Sequence, residues 1–346
     1  MPVSVLSLNC WLIPVKFVFP YLDFYVSERA QRLGSYLVSE SPDVLLLQEI
    51  WSPSNFIAWL IDLLLFRSIF GRRAIKSSLI ARGYKYISTA HGSSFWNPIR
   101  FFDSGLMIAS KYPVIMEDFL RFDTELYDED NLASKGVLAT AVEISESIVI
   151  TATSHLSSAG PRALKERQLD IIIDFISKFR EKVIAHAKKP VASLIFGADL
   201  NIDAFDLEAY GLIVEKFKKI GLVDVSFQAE DRSQVPDALV KSGLPTQPLR
   251  RFSTSDNFGE KSQKLDYLFA SRSVDVAQVS LTRGDLWRTP IDLTIAITKA
   301  FQSGDIKEAG RLKKEVDGIR RRMSVTDHAG ISAILDFGNV VRSPIE

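Results

Sequence analysis

Cysteine is nearly absent from this 346-residue chain, Cys10 being alone. No disulfide can therefore form within it, and the stapled framework of small secreted domains is excluded. A long hydrophobic run is also missing. The most apolar stretch, FIAWLIDLLLF from Phe56 to Phe66, is interrupted by Asp62 and reaches about half of the roughly 20 residues that span a bilayer. At the N-terminus no basic segment precedes an apolar stretch and a cleavage site, which leads us to expect a cytoplasmic protein, or one mature as given. Net charge is lacking too, since 42 basic residues balance 42 acidic ones. That balance argues against a uniformly basic surface for wrapping duplex nucleic acid.

What is present suits a large core, with 47% hydrophobic and 24% charged residues. Charge is sorted along the chain: Leu63 to Arg100 contains no acid but carries Arg67, Arg72, Arg73, Lys76, Arg82, Lys85 and Arg100, and an acidic block from Glu117 to Asp130 follows. Strand-like runs recur at Val3–Leu8, Val44–Leu47, Gly105–Ala109, Val137–Glu143, Ile148–Thr153, Val191–Phe196, Leu265–Ala270, Val274–Leu281 and Gly330–Leu335. Helical segments separate many of them, so the pattern predicts an α/β or α+β sandwich. Ser27 is placed to cap a helix with Ala30, Leu33 and Leu37 on one face, and Pro161 to open one carrying Leu169, Ile172, Ile176 and Phe179. The expectation is a single domain over residues 1–346, with helical insertions near 54–82 and 290–322.

Of four histidines, His91 and His186 occupy loop and helix-end positions and read as solvated. His155 and His328 each follow a strand-like run, in TATSHLSS and SVTDHAGI, where a rigid scaffold can present a side chain to a cleft. Other strand ends deliver polar groups as well. Asn9 closes SLN, Glu49 follows DVLLLQ, and Asp199 and Asn201 follow the apolar run LIFGA. Any one of these could be a turn former or a helix cap. Together they make the set a metal-assisted hydrolase requires, with hard oxygen ligands for Mg²⁺ beside proton-transfer groups. Asp266, set in the apolar LDYLF, is costly to bury unless paired.

SLNCW, LLLQEIW, DSGLMIASKYPV, SHL, GADLN, KLDYLFAS and VTDHAGI, in this order, resemble the endonuclease/exonuclease/phosphatase superfamily. The resemblance implies a DNase-I-like four-layer architecture, two sheets flanked by helices, with a divalent-metal phosphoesterase site. NCWLIP, ERAQRLGSYL and SKGVLATAV are closest to neutral sphingomyelinases. The resemblance further implies that Glu49 is the principal Mg²⁺ ligand, with Mn²⁺ or another divalent cation as substitutes, and that Asn9 orients it or completes the outer shell. It makes His328 the general base, Asp266 the partner fixing its tautomer, and His155 a donor to the phosphoryl group. Asp199 and Asn201 then hold the attacking water and the phosphate oxygens, and Asp327 belongs to the metal or phosphate shell.

The catalytic set reads a phosphate, not what hangs from it. The aromatic loop over 17–25 and the apolar and basic segment over 56–76 have the composition of a membrane-interface surface. We therefore expect a Mg²⁺-dependent, sphingomyelinase-like phosphodiesterase with a phospholipid substrate, peripheral to membranes. A nuclease or phosphatase of the same superfamily is the alternative, which keeps nucleic acid open as a less favoured partner. A non-catalytic relative that binds membranes or proteins is the second.

Overall fold

The computed structural model describes residues 2–12, 26–61, 68–90, 101–123, 132–225, 264–282 and 330–337, with a few positions between 305 and 312. Twelve strands and five helices lie among them. One sheet is built from β1 (Pro2–Asn9), β2 (Val44–Gln48), β3 (Tyr86–Thr89), β4 (Met107–Ser110), β11 (Asp275–Thr282) and β12 (Gly330–Asp336), in the order β11-β12-β1-β2-β4-β3. The other holds β5 (Val114–Arg121), β6 (Gly136–Ile144), β7 (Ser147–His155), β8 (Val191–Asp199), β9 (Leu222–Asp224) and β10 (Asp266–Ser271), in the order β5-β6-β7-β8-β10-β9. The helices are α1 (Val26–Glu40), α2 (Phe56–Ile61), α3 (Ser68–Ala81), α4 (Arg162–His186) and α5 (Leu207–Lys218).

Alternation along the strands divides the core into layers. Val3 and Val5 of β1 and Val44 and Leu46 of β2 meet Val149, Ile195 and Leu268 between the sheets. The intervening Leu6, Leu8, Leu45 and Leu47 face outward onto Ala30, Leu33 and Leu37 of α1 and Ile75 and Leu79 of α3. On the far side Ile150, Phe196 and Phe269 pack under Leu169, Ile172, Ile176 and Phe179 of α4 and Phe217 of α5. The result is the expected four-layer sandwich. Gly197 permits the close approach of its two sheets, because a Cβ there would stand 2.7 Å from Ser7 Oγ and 2.8 Å from Leu46.

All nine anticipated runs have a strand counterpart. The additional β3, β5 and β9 each lie at a sheet edge. Edge strands are short or bear charges on the core pattern, as Glu117 and Asp118 do in β5, so their alternation is weak. Two helix starts differ from expectation: α1 begins at Val26, so Ser27 lies inside its first turn and does not cap it, and Pro161 is the N-cap of α4 instead of its first residue. The region near 54–82 does hold helices α2 and α3, while most of 290–322 and all of 17–25 lie outside the described residues. No described helix is long and apolar enough to cross a membrane.

Candidate active site

Parallel pairing brings the relevant strand ends together. β1 runs parallel to β2, with Asn9 opposite Gln48, and β7 runs parallel to β8, with His155 opposite Asp199. β10 is antiparallel to β8, so its first residue, Asp266, lies opposite Asp199, the last of β8. Strand alternation turns Asn9, His155, Asp199 and Asp266 to the same inter-sheet side as the core valines and leucines. One end of the sandwich interior thus becomes polar because four strands change from apolar to polar at the same level.

Asn9 links the two sheets there. Its Nδ2 donates to Glu49 Oε1 at 2.9 Å and to Asp199 Oδ2 at 2.8 Å, while its Oδ1 accepts from the Trp11 amide at 2.9 Å. His155 Nε2 stands 3.6 Å from that Glu49 oxygen and 3.7 Å from that Asp199 oxygen. Asn9, Glu49, His155 and Asp199 are all buried. Two like charges out of water need a compensating cation. The ligand atoms of Glu49, His155 and Asp199 lie within 4.8 Å of one another, and two hard carboxylate oxygens beside one imidazole suit Mg²⁺ or Mn²⁺. In this arrangement Asn9 turns its amide nitrogen to the carboxylates, the geometry of a group that orients ligands.

The surrounding loops are held in unusual conformations. Trp11, Glu49 and Asn201 all have positive φ, 47°, 57° and 49°. Such a left-handed turn costs a non-glycine residue about 1–3 kcal/mol, and surrounding contacts must compensate. Asn201 meets that need through its amide, which donates to Asp199 Oδ1 at 2.9 Å, its side chain, which donates to the Leu156 carbonyl at 3.1 Å, and its own carbonyl, which accepts from Lys165 at 2.7 Å. Tyr267, next to Asp266, donates to the Ile202 carbonyl at 2.7 Å. Its phenol is pushed well above its ordinary range by burial and then by the nearby Asp224, Asp203, Asp266 and Asp199 carboxylates, so it remains a donor.

Of the residues expected from sequence, Asn9, Glu49, His155, Asp199, Asn201 and Asp266 converge here. Asp327 and His328 lie outside the described residues; β12 begins just after them at Gly330, and Ile331 pairs with Ser7. Two further side chains belong to the site. The buried Lys135 sets its ammonium 3.4 Å from His155 Nε2 and donates to the Leu156 carbonyl at 2.8 Å. Its only sequence signal is the SKGV segment, where a lone lysine reads as solvated. Trp51 has its ring centroid 6.2 Å from that of His155, and nothing in QEIW marks it beyond its size.

Two mixed sheets sandwiched by helices, with an acid–imidazole cluster fit for a divalent cation at one end, define a DNase-I-like fold with a candidate metal site. A model of the Endonuclease/Exonuclease/phosphatase family matches residues 6–287, and the chain belongs to that family. It is 23% identical to a sphingomyelinase of Dictyostelium discoideum over 182 residues, 44% of this chain and 39% of that protein. It is 26% identical to tyrosyl-DNA phosphodiesterase 2 of Xenopus tropicalis over 179 residues, 51% of this chain and 37% of that one. The matched stretches thus span well under half of these relatives. The fold also superposes on a mutant beta toxin from Staphylococcus aureus with bound magnesium ions, with a TM-score of 0.57, 16% identity, and coverage of 96% of this chain and 99% of that one.

Proposed function

We propose that the protein is a Mg²⁺-dependent phosphodiesterase of sphingomyelinase type, one domain that hydrolyses sphingomyelin to ceramide and phosphocholine. The observation that carries this reading is the buried Glu49, His155 and Asp199 cluster, tied across both sheets by Asn9. Glu49 and Asp199 would hold the cation, with Asp327 beside it, and the bound ion would supply charge neutralisation for the phosphate in the transition state. Asp199 and Asn201 align the water with the phosphorus. His328 removes the water proton as the bond from phosphorus to the ceramide oxygen breaks, and Asp266 holds the imidazole in the productive tautomer. His155 and the adjacent Lys135 face the charge that grows on the phosphoryl oxygens.

The lipid half of the reading rests on α2, which begins seven residues after Glu49. Phe56, Ile57, Trp59 and Leu60 on this one short helix are exposed, and Phe56 stacks on Trp59 with centroids 6.1 Å apart. A patch of this kind, close in sequence to Glu49, fits insertion among acyl chains. The basic part of the sequence expectation is corrected: Arg72 points inward to a buried ion pair with Asp103, so of this arginine pair only the exposed Arg73 can meet headgroups. The likeness to tyrosyl-DNA phosphodiesterase 2 favours a second reading, hydrolysis of a phosphodiester on DNA. Purified protein assayed on sphingomyelin vesicles, phosphatidylcholine vesicles, tyrosyl-DNA and duplex DNA, each with Mg²⁺ and with chelator, separates the two. Cleavage of sphingomyelin alone, abolished by chelator, is expected; cleavage confined to DNA substrates overturns the lipid assignment and leaves the site chemistry standing.

A further inference from the structure

The turn that carries Glu49 is gripped from outside the sheets. Arg72 of α3 donates through Nε to the Ile50 carbonyl at 3.0 Å, and its Nη2 reaches the same oxygen. Its Nη1 lies 2.5 Å from Asp103 Oδ2. The other oxygen of Asp103 accepts from the Ser52 amide at 3.1 Å and the Gly105 amide at 3.0 Å, and the Asp103 amide donates to the Ser52 carbonyl at 2.9 Å. The Ile50 amide donates to the Gly105 carbonyl at 2.8 Å. Arg72 and Asp103 are 6% and 1% exposed. A guanidinium desolvated to this degree is retained only where its whole fork is used.

This clamp has one obvious object. Glu49 sits at φ 57°, a conformation that relaxes unless its neighbours forbid it, and the carbonyl of the next residue, Ile50, is the one Arg72 holds. Past the end of β2 at Gln48, the Leu12 amide donates to the Glu49 carbonyl at 3.1 Å, and Arg72 secures the next carbonyl, that of Ile50. The clamp does not touch the Asp199 side of the cluster, which is secured by Asn201, Lys165 and Tyr267. Lys76, one turn further along α3, feels the crowding: burial first, and then the Arg72 charge, lower its pKa.

We propose that Arg72, with Asp103, is a positioning residue for Glu49, so that affinity for a divalent cation depends on a side chain of α3 that is not itself a ligand. This inference rests on the reading of Glu49 as a metal ligand. It also makes α3 more than an ornament on the sandwich, since the excursion that bears the exposed α2 returns through α3 to fix the metal-binding turn. Supporting groups around metal ligands typically govern about 10–100-fold in affinity.

The test is calorimetric titration of Mn²⁺ into the purified full chain and its variants, with circular dichroism to establish folding. Arg72→Met is expected to weaken binding at least about tenfold. Arg72→Lys, which keeps the charge but cannot serve both Ile50 and Asp103, should fall between Arg72→Met and the parent. Arg73→Met, on the exposed face of the same helix, should bind as the parent does. Parent-like Mn²⁺ affinity in folded Arg72→Met overturns the proposal, and if that variant does not fold, parent-like affinity in Arg72→Lys overturns it equally. A parent protein that takes up no Mn²⁺ sinks the metal site and the proposed function together, whereas unchanged variants of a metal-binding parent sink only the clamp.

Discussion

Replacing Glu49 by Gln should stabilise the metal-free protein while destroying its activity. Glu49 and Asp199 bring one oxygen each to within 4.8 Å of the other, and both residues are buried. At an effective permittivity of about 20, two unit charges at that separation repel by about 3 kcal/mol. The Asn9 amide, donating to both, offsets part of this, so the net relief in Glu49→Gln is about 2 kcal/mol. For a chain of this size that corresponds to a rise in Tm of about 3 °C. Adding Mg²⁺ should reverse the order. The parent gains about 2.7 kcal/mol at a hundredfold excess over Kd, and Glu49→Gln, lacking one anionic ligand, gains little. The assay is a thermal melt of both proteins at pH 8, with chelator and with Mg²⁺. A Glu49→Gln protein that melts below the parent in chelator, or that gains as much from Mg²⁺, would refute the view that these carboxylates are held in mutual repulsion for a cation.

Other substitutions probe the site and its supports. His328→Ala should lower turnover by about 10²–10⁴ with little change in Tm, as expected of a general base; near-normal turnover would remove that role. In Gly105→Ala the new Cβ would stand 2.9 Å from the Trp51 ring at φ +66°. Overpacking and the left-handed backbone together should cost about 2–5 kcal/mol in urea denaturation, and activity should fall as Trp51 shifts against His155. Lys264, fully buried, pairs with Asp224 at 2.7 Å and lies over the Tyr267 ring at 4.7 Å. Lys264→Met should destabilise by about 3–5 kcal/mol by removing the cation that faces the buried Asp224 carboxylate. The double change Lys264→Met with Asp224→Asn should recover most of that loss, because the introduced carboxamide can still accept from Tyr210, as Asp224 does at 3.0 Å.

The central strands were legible because both of their faces are covered. Runs such as VLLLQ and SLIFGAD are apolar on either side of the period-two alternation and end abruptly in polar groups, and that abruptness is a sequence signal. β3, β5 and β9 were not legible, since β3 and β9 are only four and three residues long and β5 carries Glu117 and Asp118, as edge strands tolerate, whereas the longer edge strand β11 was legible. The site split along the same line. Asn9, Glu49, His155 and Asp199 announce themselves by standing where an apolar strand stops. Lys135 and Arg72 do not, because a basic residue in a polar stretch is ordinarily solvated, and only burial against His155 and Asp103 changes its meaning. The basic region after Phe66 read as a surface for anions, yet its Arg72 is spent inside the protein.

Composition, strand periodicity and the ordered motifs determined the sandwich, its family and most of the acid–imidazole set, since burying an alternating strand fixes which side chains face inward. The tertiary structure alone decided which polar groups share a space. Asn9 meets Asp199 across 190 residues of chain, and Arg72 reaches back from a helix to the carbonyl after Glu49. Contacts of that range depend on how two sheets and a helix pack, and local sequence carries no record of packing between segments so far apart.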